Sequence, residues 1–202
     1  MKSESFNIAL YPPADISRRA IAVSRTLKER GGLFALDGER CVPHITLYFA
    51  EIPLQSVPQV KQVLSRCAKH TEPFRLSSLA YHQDESGYVH VACKKSPAIQ
   101  KLQQEIIEAI NPLRQELLLP KDMARMHELP KAQQRNLQRY GFRSVGKQFS
   151  PHLTFTKLAR YTKNALQGIG EEDFSFDVTR IGLFVLGEHG TCRKLIKTFD
   201  FS

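Results

Sequence analysis

The chain has 202 residues, 42% hydrophobic and 24% charged, a size and balance that suit one globular unit of about 100–200 residues and exclude disorder as the main state. No run of about 18 apolar residues occurs, so no spanning helix or membrane partner is expected. The opening Met1-Lys2-Ser3-Glu4-Ser5 lacks the form of a signal peptide, so a cytoplasmic protein is expected.

Phe6 to Tyr11 alternates as a strand, and Pro12-Pro13 stops it before Asp15, read as the cap of a helix with the apolar stripe Ile16, Ala20, Val23 and Leu27. Gly31-Gly32 ends that helix. His44 to Phe49 reads as a strand, and Ser56, followed by Pro58, opens a second helix with Val60, Val63, Leu64 and Cys67 inward. Strands are expected at 74–81 and 88–93, joined by the turn-rich Gln83-Asp84-Glu85-Ser86-Gly87. Ser96-Pro97 starts the longest helical pattern, through Ile99, Leu102, Ile106, Ile110, Leu113 and Leu117, with a kink expected at Pro112. Residues 120–147 are polar and basic and read as a partly helical insertion. Strands return at 149–158, at 174–187 with Gly182 as a bulge or break, and at 193–201.

The 29 Lys and Arg exceed the 20 Asp and Glu, giving a formal charge of +9. Such an excess favours polyanions and makes nucleic acid a plausible partner. The four cysteines, Cys41, Cys67, Cys93 and Cys192, form no C-x-x-C pair, so reduced, buried thiols are expected, with neither disulfides nor a zinc site.

One feature repeats. Pro43-His44-Ile45-Thr46-Leu47-Tyr48-Phe49 and Pro151-His152-Leu153-Thr154-Phe155-Thr156-Lys157 lie 108 residues apart. From this composition two Pro-His-x-Thr copies arise by chance at about one in ten thousand. In a strand, residues i, i+2 and i+4 share a face. His44, Thr46 and Tyr48 then oppose Ile45, Leu47 and Phe49, and His152, Thr154 and Thr156 oppose Leu153 and Phe155. Each strand offers an imidazole and a hydroxyl on a polar face backed by core. Two histidines across a cleft suit phosphodiester chemistry, one as base and one as acid, because imidazole titrates near neutral pH. Threonine hydroxyls can hold non-bridging phosphate oxygens, and no metal or other cofactor is required.

The duplicated His-x-Thr followed by an apolar residue resembles the signature of the two-histidine (2H) phosphoesterase superfamily, with the nearest likeness to the 2′-5′ RNA ligase-like cyclic phosphodiesterases. The resemblance implies a bilobal, pseudo-symmetric α+β fold, two antiparallel sheets enclosing a central cleft with helices on the outer faces. It implies hydrolysis of 2′,3′-cyclic phosphates or 2′-5′ linked nucleotides, with His44, Thr46, His152 and Thr154 as the catalytic tetrad. Residues 1–202 are accordingly read as a single catalytic domain of two interleaved lobes, a monomer whose partner is an RNA or nucleotide substrate.

Further substrate contacts are less determined. Tyr48 and Thr156 stack on a base or hold a phosphate, or else form plain cleft wall; Tyr11 lines the cleft or packs in the core. Arg143 and Lys147 contact phosphate or belong to a solvated loop. The remaining histidines, His70, His82, His90, His127 and His189, are read as structural or solvent-exposed, His90 as a satisfied, partly buried imidazole. Nucleophilic catalysis has no motif here, since Gly-x-Ser-x-Gly and Walker loops are both missing. Two rivals share the cleft: RNA end ligation, the same chemistry reversed, and an RNA-binding module without turnover.

Overall fold

The computed structural model describes residues 2–170 and 172–202. Strand β1 (Ser3–Leu10) is stopped by Pro12-Pro13, and helix α1 (Ala14–Glu29) begins directly after Pro13 without a side-chain cap. Asp15 stands in the first turn instead, where its carboxylate faces the positive end of the helix dipole. The chain continues through β2 (Ile45–Pro53), α2 (Val57–Lys69), β3 (Phe74–Leu76), β4 (Ser78–Gln83), β5 (Tyr88–Cys93) and α3 (Pro97–Ile110). After α4 (Pro120–Arg125) and α5 (Lys131–Tyr140) come β6 (His152–Lys157), β7 (Phe176–Val178), β8 (Arg180–Leu186) and β9 (Cys192–Asp200). No helix among the described residues is long and apolar enough to cross a membrane.

The result is an α+β fold with two antiparallel sheets. The larger runs β4-β5-β6-β2-β1-β8-β9, and β3 pairs with β7 in the smaller. Within the large sheet, β2 and β6 meet at a single pair, Ile45 with Leu153. The joint divides it into a three-stranded and a four-stranded half. The helices cross over between halves: α1 follows β1 yet packs on β6, while α3 follows β5 yet packs near β2. Their stripes, Ile16, Ala20, Val23 and Leu27 from α1 and Ile99, Leu102, Ile106 and Ile110 from α3, are buried in one shared core.

Four elements differ from the sequence reading. Ser56 is buried in a short 3₁₀ turn and makes no capping bond to α2. The helix expected to reach Leu117 ends at Ile110, because Pro112 lacks the N–H for another α-helical turn; Asn111–Arg114 is 3₁₀, and Gln115 and Glu116 take positive φ. The strand expected over 74–81 divides at Ser77 between the two sheets. Ser78 is held at the division by Asp173 and Ser175. The strand expected over 174–187 breaks at Thr179, and Gly182 lies inside β8, where a Cβ would sit 2.3 Å from the Phe184 ring.

Beside each of the two motifs the sheet holds an insertion that the alternation of residue types does not reveal. β1 pairs Ala9 with Thr46 and Ile8 with Tyr48, leaving Leu47 as an extra residue of β2. β5 pairs His90 with Thr154 and Val89 with Thr156, leaving Phe155 as an extra residue of β6. Both bulges fall three residues after the motif histidine. A bulged residue loses its place in the ladder, and here each bulge carbonyl takes a bond from a buried polar side chain on a helix. Gln103 Nε2 of α3 donates to Leu47 O at 3.0 Å, and Ser24 Oγ of α1 donates to Phe155 O at 2.5 Å. The same two groups tie down neighbouring loops, since Gln103 also donates to Ser144 O and Ser24 Oγ accepts from the Leu36 N–H.

Replacing Ser24 by Ala or Gln103 by Leu leaves a buried carbonyl unpaired, so each should lower stability by about 1–3 kcal/mol in urea unfolding. A change within about 0.5 kcal/mol, ordinary for a surface substitution, would show that the strands hold the bulges alone.

Candidate active site

His44 sits immediately before β2 and His152 opens β6, so the single contact between these strands brings the two motifs together. His44, Thr46, His152 and Thr154 all line one cavity of about 380 Å³. The two imidazoles are oriented alike. His44 Nδ1 lies 2.7 Å from Val42 O and His152 Nδ1 lies 2.8 Å from Ser150 O. A carbonyl only accepts, so each Nδ1 carries the proton and each Nε2 is the nitrogen left to the cleft. Val42 is itself held by its bridge to Cys192.

Burial, chiefly, lowers the His44 imidazole to about 4; the nearby His152 adds to this, and backbone hydrogen bonding at Val42 and Gly190 opposes it. His152 shifts the same way through the crowding of the cleft walls, although its ring is open to the cleft. Both imidazoles are therefore neutral at neutral pH.

The two bulges decide what else faces the cavity. After Thr46 the alternation of β2 reverses, so Tyr48 turns into the core, fully buried, with its hydroxyl donating to Tyr140 O at 2.6 Å. Phe49 takes its place on the cavity wall. After Thr154 the same reversal buries Thr156, whose hydroxyl donates to Phe34 O, and brings Lys157 to the cavity. Gly32 permits that contact: a Cβ there would lie 2.6 Å from Thr156 Oγ1. Tyr48 and Thr156 are thus packing residues. Tyr11 is also outside the cavity, since its ring lies edge-on to Phe184 under Arg180 and its hydroxyl is bonded to Thr198. Arg143 lines the cavity, whereas Lys147 is exposed on a 3₁₀ turn beyond it.

Several lining residues went unread in the sequence. His90 lines the cavity in register with Thr154, its ring 4.8 Å from that of His152, so it belongs to the site. Burial and the adjacent His152 lower its imidazole to about 4. His189, read as structural or solvent-exposed, stacks on Phe34, and both line the cavity. Two cations lie over aromatic rings on the walls, Lys121 over Phe49 at 5.0 Å and Lys157 over Tyr88 at 5.1 Å. Arg125 and Arg143 add charge, offset by Asp84 and Asp122. The alternation Tyr88-x-His90 was the one available signal, and no motif distinguished it from an ordinary strand. Among the described residues no three His, Cys, Asp or Glu side chains gather as a metal ligand set.

The family model described as the 2′-5′ RNA ligase superfamily matches residues 12–190, both motifs included. The chain belongs to this superfamily. Solved structures share the fold. E. coli LigT is 17% identical with a TM-score of 0.56, covering 100% of this chain and 99% of its own. TT0787 of Thermus thermophilus is 15% identical with a TM-score of 0.60, covering 98% and 97%. No curated protein matches the sequence. Superfamily membership supports a two-histidine phosphoesterase or 2′-5′ RNA ligase-like activity as the general function.

The histidines make stability depend on pH. His44 and His90 bind protons near 6.5 when unfolded but only near 4 when folded. The unfolded chain thus takes up more protons between these values, and stability present above about pH 6.5 is lost as the pH falls towards 4. The carboxylate of Asp173, held at about 2 by Ser175 and Ser78, acts only at lower pH. The melting temperature should therefore fall between pH 6.5 and 4.5, less steeply in a His44→Gln variant. A flat profile across this range would show that the imidazoles are not held neutral.

Proposed function

We propose that the chain works as one catalytic unit, a metal-independent phosphodiesterase that opens 2′,3′-cyclic phosphates or cuts 2′-5′ linked nucleotides and RNA ends by acid–base catalysis between His44 and His152. The reading rests chiefly on one observation. Two imidazoles, each with Nδ1 bonded to the carbonyl two residues before it, leave Nε2 to a common cavity that also holds two threonine hydroxyls.

A phosphate anion entering between the rings favours the charged form of one of them, so substrate binding itself supplies the acid. The neutral ring takes a proton from water as its oxygen bonds to phosphorus. The protonated ring gives its proton to the departing ribose oxygen as the P–O bond breaks. Thr46 and Thr154 hold the non-bridging oxygens, on which charge grows. A 5′-hydroxyl in place of water, losing its proton to the same base while the leaving ribose oxygen gains one from the same acid, is the corresponding ligation. LigT has been solved with phosphate and with 3′-AMP, and a nucleoside 3′-monophosphate is what a 2′,3′-cyclic phosphate becomes when the bond to its 2′ oxygen is cut. Phe49 and Tyr88 offer aromatic surface to a base, while Lys121, Arg125, Arg143 and Lys157 surround the cavity for phosphates beyond the reacting one.

His44→Ala and His152→Ala should each lower turnover of the best substrate by about 10²–10⁴ with folding kept, and the double variant should be far from additive. Wild-type turnover should survive EDTA. Near-normal rates in either single variant would overturn the acid–base pair.

The basic wall predicts a preference for oligonucleotides. Each phosphate contact to a single strand adds roughly 0.7 to the slope of log affinity against log salt, so Lys121→Gln with Arg143→Gln should flatten the oligonucleotide slope by about 1.4. Cyclic mononucleotide turnover should change little, and Lys147→Gln, outside the cavity, should change neither. Equal slopes for the double variant and wild type would remove this wall from substrate binding.

A further inference from the structure

Strand β1 carries one fully buried amide. Asn7 stands between Phe49 of β2 and Phe184 of β8, with no surface exposed to solvent. Burying an amide is costly unless it is bonded, yet Asn7 is bonded at only one end. Its Nδ2 donates to Thr46 Oγ1 and to Cys192 Sγ, both at 3.2 Å, while Oδ1 has no partner among the described residues. Turning the amide over would strand two buried N–H donors in place of one carbonyl, which is the worse arrangement. An amide nitrogen only donates. Thr46 Oγ1 therefore accepts, and the hydroxyl proton has to point elsewhere, on a side chain that lines the cleft two residues from His44.

Among the described residues the other motif shows no counterpart to this bond. Tyr88 stands opposite Lys157 as Asn7 stands opposite Phe49, but its hydroxyl donates to His189 O at 3.2 Å and not to Thr154.

We infer that Asn7 is a positioning residue: by donating to Thr46 Oγ1 it fixes that hydroxyl as a proton donor towards a phosphate oxygen in the cleft, which makes Thr46 and Thr154 unequal partners of the substrate. The inference builds on the phosphodiesterase reading, so its test uses inorganic phosphate binding as well as turnover.

Calorimetry with inorganic phosphate, and kcat and KM on a 2′,3′-cyclic mononucleotide, would be measured for Asn7→Ala, Thr46→Val and the double variant. Freed of Asn7, the Thr46 hydroxyl can turn to other acceptors, so Asn7→Ala should weaken phosphate binding about tenfold, the size of one hydrogen bond to a charged group. That loss should vanish in the Thr46→Val background and persist in a Thr154→Val background. Asn7→Asp should bind phosphate more weakly than Asn7→Ala, because a carboxylate only accepts and would draw the Thr46 proton inward. A loss of equal size with and without the Thr46 hydroxyl would reduce Asn7 to a packing residue. Asn7→Asp binding phosphate better than Asn7→Ala would show the amide turned the other way and overturn the inference. If Asn7→Asp does not fold, the cycle with Asn7→Ala decides alone. Phosphate binding that follows the cycle in a protein without turnover would sink the phosphodiesterase reading and leave Asn7 in place, and wild type failing to bind phosphate would sink both.

Discussion

The site depends on one extra residue in each of two strands. Leu47 and Phe155 push β2 and β6 out of step with their neighbours, and the change of register falls directly after each His-x-Thr. Up to the threonine, the polar side chains face the cavity. Beyond it the faces exchange, so that Tyr48 and Thr156 lock the backbone from behind while Phe49 and Lys157 come to the front. A bulge of this kind persists only if its carbonyl is bonded. Ser24 and Gln103 are the polar exceptions on the apolar faces of α1 and α3 because they make those bonds.

From this follows the stiffness of the cavity. Ser24 and Gln103 each bond a second backbone group, the Leu36 N–H and the Ser144 carbonyl, in loops that line the cavity. The helix that supports a motif strand thus also holds a loop of the cavity wall. Arg114, buried in the 3₁₀ turn after α3, ties that turn to the end of α5 in the same manner through Leu117 O, Gln138 O and Arg139 O. The acid–base catalysis proposed for the two imidazoles needs this, since the gain from proximity is lost when reacting groups stray by about an ångström.

The two halves repeat in backbone but not in chemistry. Positions that correspond by register carry Phe49 and Lys157, Ala9 and His90, Asn7 and Tyr88. His44 is buried and His152 open. On the phosphodiesterase reading proposed above, unlike side chains on a common frame suit a substrate that is itself unsymmetrical about phosphorus, with a group that arrives and a group that leaves.

The repeated Pro-His-x-Thr was legible in the sequence because a rare combination of residue types occurring twice needs no coordinates to be noticed, and so were the helices α1 and α3, whose apolar stripes repeat at the helical period. The α+β class followed from the same patterns. What lay beyond the threonines was not legible. Strict alternation places Tyr48 and Thr156 on the catalytic face, and a one-residue bulge leaves no mark in a run of β-formers, because its cost is met by bonds from Ser24 and Gln103, 131 and 56 residues away in the chain. For the same reason His90 read as an ordinary strand histidine until its pairing set it beside His152. The sequence by itself determined which residues form the repeated motif and what chemistry their types suit, since that depends on residue type. Which neighbours surround them was decided only by the tertiary structure, because strand register is settled between segments far apart in the chain.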